Sequence, residues 1–237
     1  MMIPYKDDNP AQTAPVVTGA LIAINVAVFL FFRLQGGRAF EAAVFEFGLI
    51  PRELWSGSLQ GSEAVLPPLS LITGMFMHGG FLHLIGNMLY LWIFGNNVED
   101  YLGHFRFLIF YLGCGLIASA AHIVFNLGST VPMVGASGAI AGVLGAYLVL
   151  YPWARVHALV FIFFFVTTIM IPAWVLLGFW FLLQAMNTLP ALGGATGGGV
   201  AYLAHVGGFV AGWLHTRRRS RRVRPRSPWP RYRGGFR

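Results

Sequence analysis

Long apolar runs separated by short polar segments dominate this chain. The first run follows a polar start, and a glycine-rich stretch at 193–199 precedes the last one. A helix of about 20 apolar residues crosses the ~30 Å hydrocarbon core of a bilayer. The pattern therefore predicts an all-α polytopic membrane protein with six spans. The predicted spans are Val16–Phe32, Phe81–Phe94, Phe107–Phe125, Ser137–Tyr151, Pro172–Met186 and Tyr202–Leu214.

Two stretches do not match a single span. Residues 35–70 mix prolines, glycines and four glutamates, which predicts a long loop. The apolar residues 157–187 exceed one span and are interrupted by Pro172, so Val156–Ile171 is interpreted as an extension of the fifth helix or as an interfacial segment. A cleaved signal peptide is an alternative for the first run, but no small-x-small cleavage site follows it, which favours a retained helix.

The composition agrees with a membrane location. Hydrophobic residues make up 57% of the 237 residues and charged residues only 10%, whereas a soluble domain has roughly 25% charged residues. The mean hydropathy is +0.67. A single cysteine, Cys114, excludes a disulfide framework and a cysteine pair that could bind a metal.

Positive charge is concentrated at the C-terminal end. The formal net charge is +8, and residues 217–237 contain ten of the 16 basic residues. Cytoplasmic segments of membrane proteins are enriched in Lys and Arg, so both termini are predicted in the cytoplasm and the protein in the plasma (inner) membrane. The chain then divides into a cytoplasmic N-terminal segment (1–15), a six-span domain (16–215) and an Arg-rich cytoplasmic tail (216–237).

The Arg-rich tail has two interpretations. Arginines next to a membrane attract anionic lipid with about 1 kcal/mol each, and Trp229, Tyr232 and Phe236 suit interfacial anchoring. Nucleic-acid binding is the alternative, because arginine-rich arms also bind phosphates. We expect lipid rather than nucleic acid.

Four polar side chains are predicted at one depth of the membrane. His83 and Asn87 are spaced i, i+4 and lie on one helix face, Ser137 begins the fourth span, and His205 lies near the start of the sixth. In the six-span topology all four are near the outer ends of their helices. The 15 residues Ser137–Tyr151 form only about 22 Å of helix. Ser137 is therefore expected below the outer surface, where water must reach it through a cavity.

Glycines on two predicted helices allow close packing. Gly138 and Gly142 line one side of the fourth span, and Gly208 and Gly212 lie on the face of the sixth that carries His205. Small residues at this spacing let the backbones of transmembrane helices touch. The serine of the fourth span and the histidine of the sixth could then come within hydrogen-bond distance, as a base that activates a hydroxyl requires.

The other polar residues limit the possible chemistry. The sequence has no HExxH motif, which excludes that class of metalloprotease, and no Asp or Glu follows Asp100, which excludes an aspartyl pair or a Ser-His-Asp triad in the later spans. A dyad of Ser137 and His205 remains. The backbone N–H of Ser137 and the side chains of His83 and Asn87 could donate to an oxyanion. A packing role for Ser137 is the alternative.

Three motifs resemble those of the rhomboid intramembrane serine proteases: "HGGFLHLIGNMLYLWIFGNNVEDYLG", "GASGAIAG" and "AHVGGFVAG". The resemblance covers about residues 70–213. It implies a six-helix bundle with a water-filled active-site cavity open to the outer face. It also implies a serine endopeptidase that cleaves transmembrane segments of membrane proteins near that face, needs no cofactor or metal, and admits substrate between the second and fifth helices.

The resemblance also implies roles for individual residues. By position, Ser137 corresponds to the nucleophile, His205 to the base, and His83 and Asn87 to the oxyanion-stabilising pair. Supporting positions surround them: His78 beside the site, Glu99 in a structural position, and Gly208 and Gly212 in helix contact. Apart from the resemblance, Gly135 is expected to allow a tight backbone entry to the fourth helix and Gly138 to let the sixth helix come close.

The chain departs from its relatives in two places. Some relatives carry Trp-Arg before the second helix, where this chain reads "PLSLITGMFMH", and some carry a tyrosine that stacks on the base, where this chain has Ala141. Two other functions stay open: a catalytically inactive relative that binds transmembrane helices, and a small transporter or channel. An inactive relative would lack the serine or the histidine, and a transporter would have polar groups through its full depth.

Overall fold

The computed structural model of the protein describes residues 2–56, 66–162, 165–192 and 201–220. Most of this part of the chain is helical. The helices are α1 (Val16–Leu34), α2 (Gly37–Phe47), α3 (Glu53–Ser56), α4 (Pro67–Thr73), α5 (Phe81–Leu102), α6 (His104–Phe125), α7 (Ser137–Leu150), α8 (Ala173–Leu192) and α9 (Tyr202–Ser220). The strands are β1 (Met2–Asp7), β2 (Arg155–Ile162) and β3 (Phe165–Pro172). The glycine-rich stretch 193–199 and most of the Arg-rich tail lie outside the described residues.

Helix α7 forms the centre of the bundle. Ten of its 14 residues are buried, and it packs most extensively against α9 and also against α5, α6 and α8. Its first ten residues contain Gly138, Gly142 and Gly145. A helix with so little side-chain volume allows its neighbours to approach its backbone from several sides.

Two of the described helices are long and apolar enough to cross a membrane by length and composition, α1 and α6. The apolar stretches Ser137–Leu150 in α7 and Ala173–Thr188 in α8 are shorter than these two helices. Apolar side chains such as Phe31 of α1 and Ile109 of α6 are exposed on the outside of the bundle. A large exposed apolar surface is what a lipid-facing helix presents.

The prediction that Val156–Ile171 extends the fifth helix is wrong. This segment forms the antiparallel pair β2–β3, and β1 pairs with the other edge of β2. The segment is rich in β-branched and aromatic residues, which favour strands. The N-terminal segment, whose Asp8 contacts His157 from 149 positions away, supplies the third strand. Pro172 ends β3, and the fifth predicted helix begins one residue later as α8.

Polar contacts fasten β1 to the helices. Asp7 accepts hydrogen bonds from the Tyr147 hydroxyl of α7 (2.5 Å) and from the Asn97 amide of α5 (3.1 Å). Burial raises the pKa of Asp7 above its usual range, although the hydrogen bond from Tyr147 opposes that shift. The polar N-terminal segment is therefore an integral part of the folded structure.

The Glu99 side chain joins three elements. It is fully buried, and its carboxylate accepts hydrogen bonds from the backbone N–H groups of Val17 (2.9 Å) and Thr18 (2.7 Å) at the start of α1. Its Oε1 is also 2.5 Å from Nδ1 of His104. A carboxylate at a helix N-terminus satisfies free N–H groups and complements the helix dipole.

The predicted long loop 35–70 is partly helical, because α2, α3 and the start of α4 fall within it. After α2, the backbones of Leu49 and Met133 exchange two hydrogen bonds: the Leu49 N–H donates to the Met133 carbonyl at 3.0 Å, and the Met133 N–H donates to the Leu49 carbonyl at 2.8 Å. Two residues after Met133, the N–H of Gly135 donates to the carbonyl of Gly74 at 2.9 Å. These bonds fix the backbone that leads into α7.

Candidate active site

The backbone turns sharply just before Ser137. Gly135 has φ +121°, a conformation that L side chains rarely adopt. A Cβ atom at Gly135 would also lie 2.7 Å from Nε2 of His83. Ser137 is the first residue of α7, and the first turn of a helix has N–H groups without intrahelical partners. The turn therefore places a hydroxyl and free backbone donors together.

The structure brings Ser137 and His205 together. The Ser137 hydroxyl is 2.7 Å from Nε2 of His205, although 68 positions separate them in the sequence. His205 lies in the first turn of α9, which begins at Tyr202. This distance is that of a hydrogen bond between a nucleophile and its base.

Close contact between α7 and α9 sets that distance. A methyl group added at Gly208 would overlap the carbonyl oxygen of Gly138, and one at Gly212 would overlap the carbonyl of Gly142 one turn further along. The two backbones touch over successive turns. The glycines predicted for helix contact are therefore found on the two facing surfaces.

His83 lines the cavity from α5, and Asn87 is not among the residues that line it. The N–H of Gly79 donates to Nδ1 of His83 at 3.4 Å, so the ring proton is on Nε2, the atom that lies against Gly135. The amide of Asn87 donates to the His83 carbonyl of its own helix at 2.9 Å. The structure thus places one of the two predicted oxyanion donors beside the serine.

His78 packs behind His83. Its side chain is fully buried, and the two rings meet edge to face with centroids 5.1 Å apart. This contact limits the orientations that the His83 ring can adopt. The position is compatible with the supporting role that the sequence predicts.

A cavity of about 440 Å³ connects these groups. It lies at the end of the bundle where α5, α7 and α9 begin and α6 ends. The lining residues include His83, Ser119, Gly135, Ser137, Ala204 and His205. A cavity of this size accommodates a short segment of a peptide together with water.

One neighbour of His205 is absent from the sequence-based predictions. Oε1 of Gln184 in α8 is 2.8 Å from Nδ1 of His205, and the Trp180 ring lies 5.9 Å from the imidazole, tilted by 38°. A polar side chain in a membrane-spanning segment needs a partner. That rule, applied to the amide in an apolar run, could have identified Gln184.

The combined arrangement suits acyl transfer. It has a hydroxyl, an imidazole within hydrogen-bond distance, an N–H group on a second imidazole, and free N–H groups at a helix start. In the described part of the chain, no group of three or more His, Cys, Asp or Glu side chains is placed to hold a metal ion.

Comparison with known proteins connects this arrangement to a family. Residues 67–222 match the Rhomboid domain. The chain is 33% identical to Rhomboid protease GluP of Bacillus subtilis over 184 residues, which is 78% of this chain and 34% of that protein. It is 30% identical to Rhomboid protein 1, mitochondrial, of Saccharomyces cerevisiae over 223 residues, which is 89% of this chain and 57% of that protein.

A human relative gives a similar result. Presenilin-associated rhomboid-like protein, mitochondrial, of Homo sapiens is 31% identical over 163 residues, which is 68% of this chain and 39% of that protein. The chain thus spans about a third to three fifths of the length of these relatives.

Proposed function

The chain belongs to the rhomboid family, and on that basis we propose that it is an intramembrane serine endopeptidase. It cleaves transmembrane segments of membrane proteins near the outer face by means of a Ser137–His205 dyad. The observation that carries this proposal is the 2.7 Å contact between the Ser137 hydroxyl and Nε2 of His205 within a cavity. An inactive relative that only binds helices has no need of that pair.

The mechanism follows from the chemistry of the pair. The Ser137 oxygen attacks the scissile carbonyl while Nε2 of His205 accepts the hydroxyl proton. The C–N bond then breaks, and the same proton passes to the departing amine, which leaves an acyl enzyme. Water, deprotonated by His205, hydrolyses the ester and frees Ser137. In both halves the oxyanion is stabilised by the backbone N–H of Ser137 and by Nε2–H of His83.

The proposed membrane arrangement places the site on the outer side. Helices α1, α5, α6, α7, α8 and α9 are the six spans, and both termini are cytoplasmic in the inner membrane. Arg217, Arg218 and Arg219 in the last turn of α9 begin the Arg-rich tail and bind anionic lipid headgroups. Transmembrane proteins are the substrates, the dyad requires no cofactor or metal, and no nucleic acid is expected as a partner.

The position of the scissile bond tests the proposal. Purified protein in liposomes is incubated with a single-span reporter that carries small residues near its outer end, and the products are analysed by mass spectrometry. We expect one cut inside the hydrophobic segment, in its outer third, because the cavity lies at that end of the bundle. A cut in the soluble flanks or at the inner end would contradict the proposed depth.

The oxyanion role of His83 gives a graded prediction. Replacement of His83 by Ala is expected to lower kcat by about 10²–10³-fold, the usual effect of losing one oxyanion donor. The Asn87→Ala variant is the comparison, and we expect a smaller loss because that amide donates to the His83 carbonyl. Equal losses in the two variants, measured as kcat on the reporter, would contradict the separate roles.

A further inference from the structure

We propose that Gln184 is a positioning residue that holds His205 in the tautomer and orientation required of a base for Ser137. The proposal rests on the proposed function, because it concerns how that dyad is prepared. It gives α8 a part in the chemistry, although α8 contributes neither the nucleophile nor the base.

The tautomer follows from the donor and acceptor properties of the atoms. The amide oxygen of Gln184 can only accept a hydrogen bond, so the proton between it and Nδ1 of His205, 2.8 Å away, belongs to the imidazole. A neutral imidazole has one N–H, and Nε2 therefore carries a lone pair. That lone pair faces the Ser137 hydroxyl at 2.7 Å, which is the arrangement needed to remove the serine proton.

The orientation of the ring depends on the same helix. Trp180 and Gln184 are spaced i, i+4 and so lie on one face of α8. The indole covers the imidazole at a centroid distance of 5.9 Å, while the amide holds its Nδ1 edge. One turn after Ser137, α7 carries Ala141, whose side chain is a single methyl group. The contacts from Trp180 and Gln184 therefore hold both the face and the Nδ1 edge of the ring.

A neutral amide suits the surroundings of the base. A carboxylate in this apolar bundle would lose its hydration, which is far more costly than the burial of an amide that keeps a hydrogen bond. The amide oxygen still points its negative end at Nδ1, so it favours the imidazolium that forms during attack. Gln184 therefore supplies the orienting part of a triad without a buried charge.

The experiment compares three variants of the full-length protein in liposomes. In Gln184→Leu the acceptor is lost at nearly constant volume, and we expect kcat to fall by about 10–100-fold, a fraction of the 10²–10⁴-fold that general-base catalysis contributes. KM should stay within about twofold. Gln184→Glu keeps a carbonyl oxygen as an acceptor when its carboxyl group is neutral, the form that the apolar surroundings favour, so kcat should lie between that of the wild type and that of Gln184→Leu. Asn187→Leu is the matched control, since its amide donates to the Leu183 carbonyl of its own helix, and it should behave as the wild type.

A second measurement separates the base from substrate entry. The rate at which a small fluorophosphonate labels Ser137 needs the same base but no transmembrane substrate. If Gln184 positions His205, Gln184→Leu slows labelling and cleavage by a similar factor. Slow cleavage with normal labelling would overturn the proposal, because it would assign Gln184 to substrate entry. Normal rates of both would overturn it as well.

Failure of the proposed function gives a different result. In that case the wild type and Asn187→Leu would not cleave the reporter, or cleavage would persist without Ser137. Thermal unfolding of each variant, followed by circular dichroism, shows whether the fold is retained. If Gln184→Leu unfolds early, Gln184→Glu decides the question: a folded Gln184→Glu protein with kcat as low as that of Gln184→Leu would contradict a role for the acceptor oxygen.

Discussion

Replacement of Ser137 by Ala is expected to abolish cleavage of the reporter, with kcat/KM reduced by at least about 10⁴-fold. The variant removes only the oxygen that lies 2.7 Å from Nε2 of His205. Helix α7 does not depend on that oxygen, because its N-cap residue is Ala136 and no side-chain hydrogen bond caps the helix. We therefore expect the variant to fold normally, and initial rates in liposomes measure the loss.

Two further variants make this result specific. Ser119→Ala is the matched control, since Ser119 is a buried serine that lines the same cavity, and it should retain activity. His205→Ala should be about as inactive as Ser137→Ala, and the double variant no worse than either, because residues of one catalytic unit are not additive. Measurable cleavage by Ser137→Ala that is absent from a blank liposome sample would exclude the dyad.

The Gly212→Ala substitution is expected to have the largest effect on the fold. The added methyl group would overlap the Gly142 carbonyl, and backbone atoms cannot rotate away as a flexible side chain can. Helices α7 and α9 must separate, so the free energy of unfolding should fall by about 3 kcal/mol. Activity should fall too, because the same separation moves His205 away from Ser137.

Unfolding of Gly212→Ala is measured by thermal or denaturant titration of purified protein, together with the rate of reporter cleavage. Gly178→Ala on α8 is the matched control, because a Cβ at Gly178 meets no atom within 4 Å. It should unfold as the wild type does. Equal stability of the two variants would mean that the α7–α9 contact is looser than the structure has it.

Much of the helical framework can be predicted from the sequence, because apolar runs of this length in a chain with so little charge are typical of membrane-spanning helices. The predicted span Phe107–Phe125 begins three residues after the start of α6 at His104 and ends at the same residue. Segment Val156–Ile171 could not be assigned in this way. Its apolar, β-branched residues suit either a strand or a buried helix, and the choice depends on β1, whose position no local pattern reveals.

Some residues of the candidate site could likewise be identified from the sequence, and others could not. Ser137, His205 and His83 stand out because each is a polar residue in an apolar run, and their common depth follows from helix direction. Gln184 is just as polar, but its importance depends on the rotation of α8 about its axis. That rotation is set by packing against α9 and by the end of β3, neither of which is visible in the run itself. The same reason explains why Asn87 could not be separated from His83.

The β1–β2 pairing has a consequence for biosynthesis. Asp8 and His157 are 149 positions apart, and a ribosome that adds about 5–20 residues per second needs roughly 7–30 s to make the intervening chain. During that time the residues of β1 have no strand to join, although α1, which follows them in the sequence, is already complete. The sheet can close only after α7 has emerged, and Asp7 then meets Tyr147. The residues of β1 are thus translated before α1 and are still among the last to reach their final place.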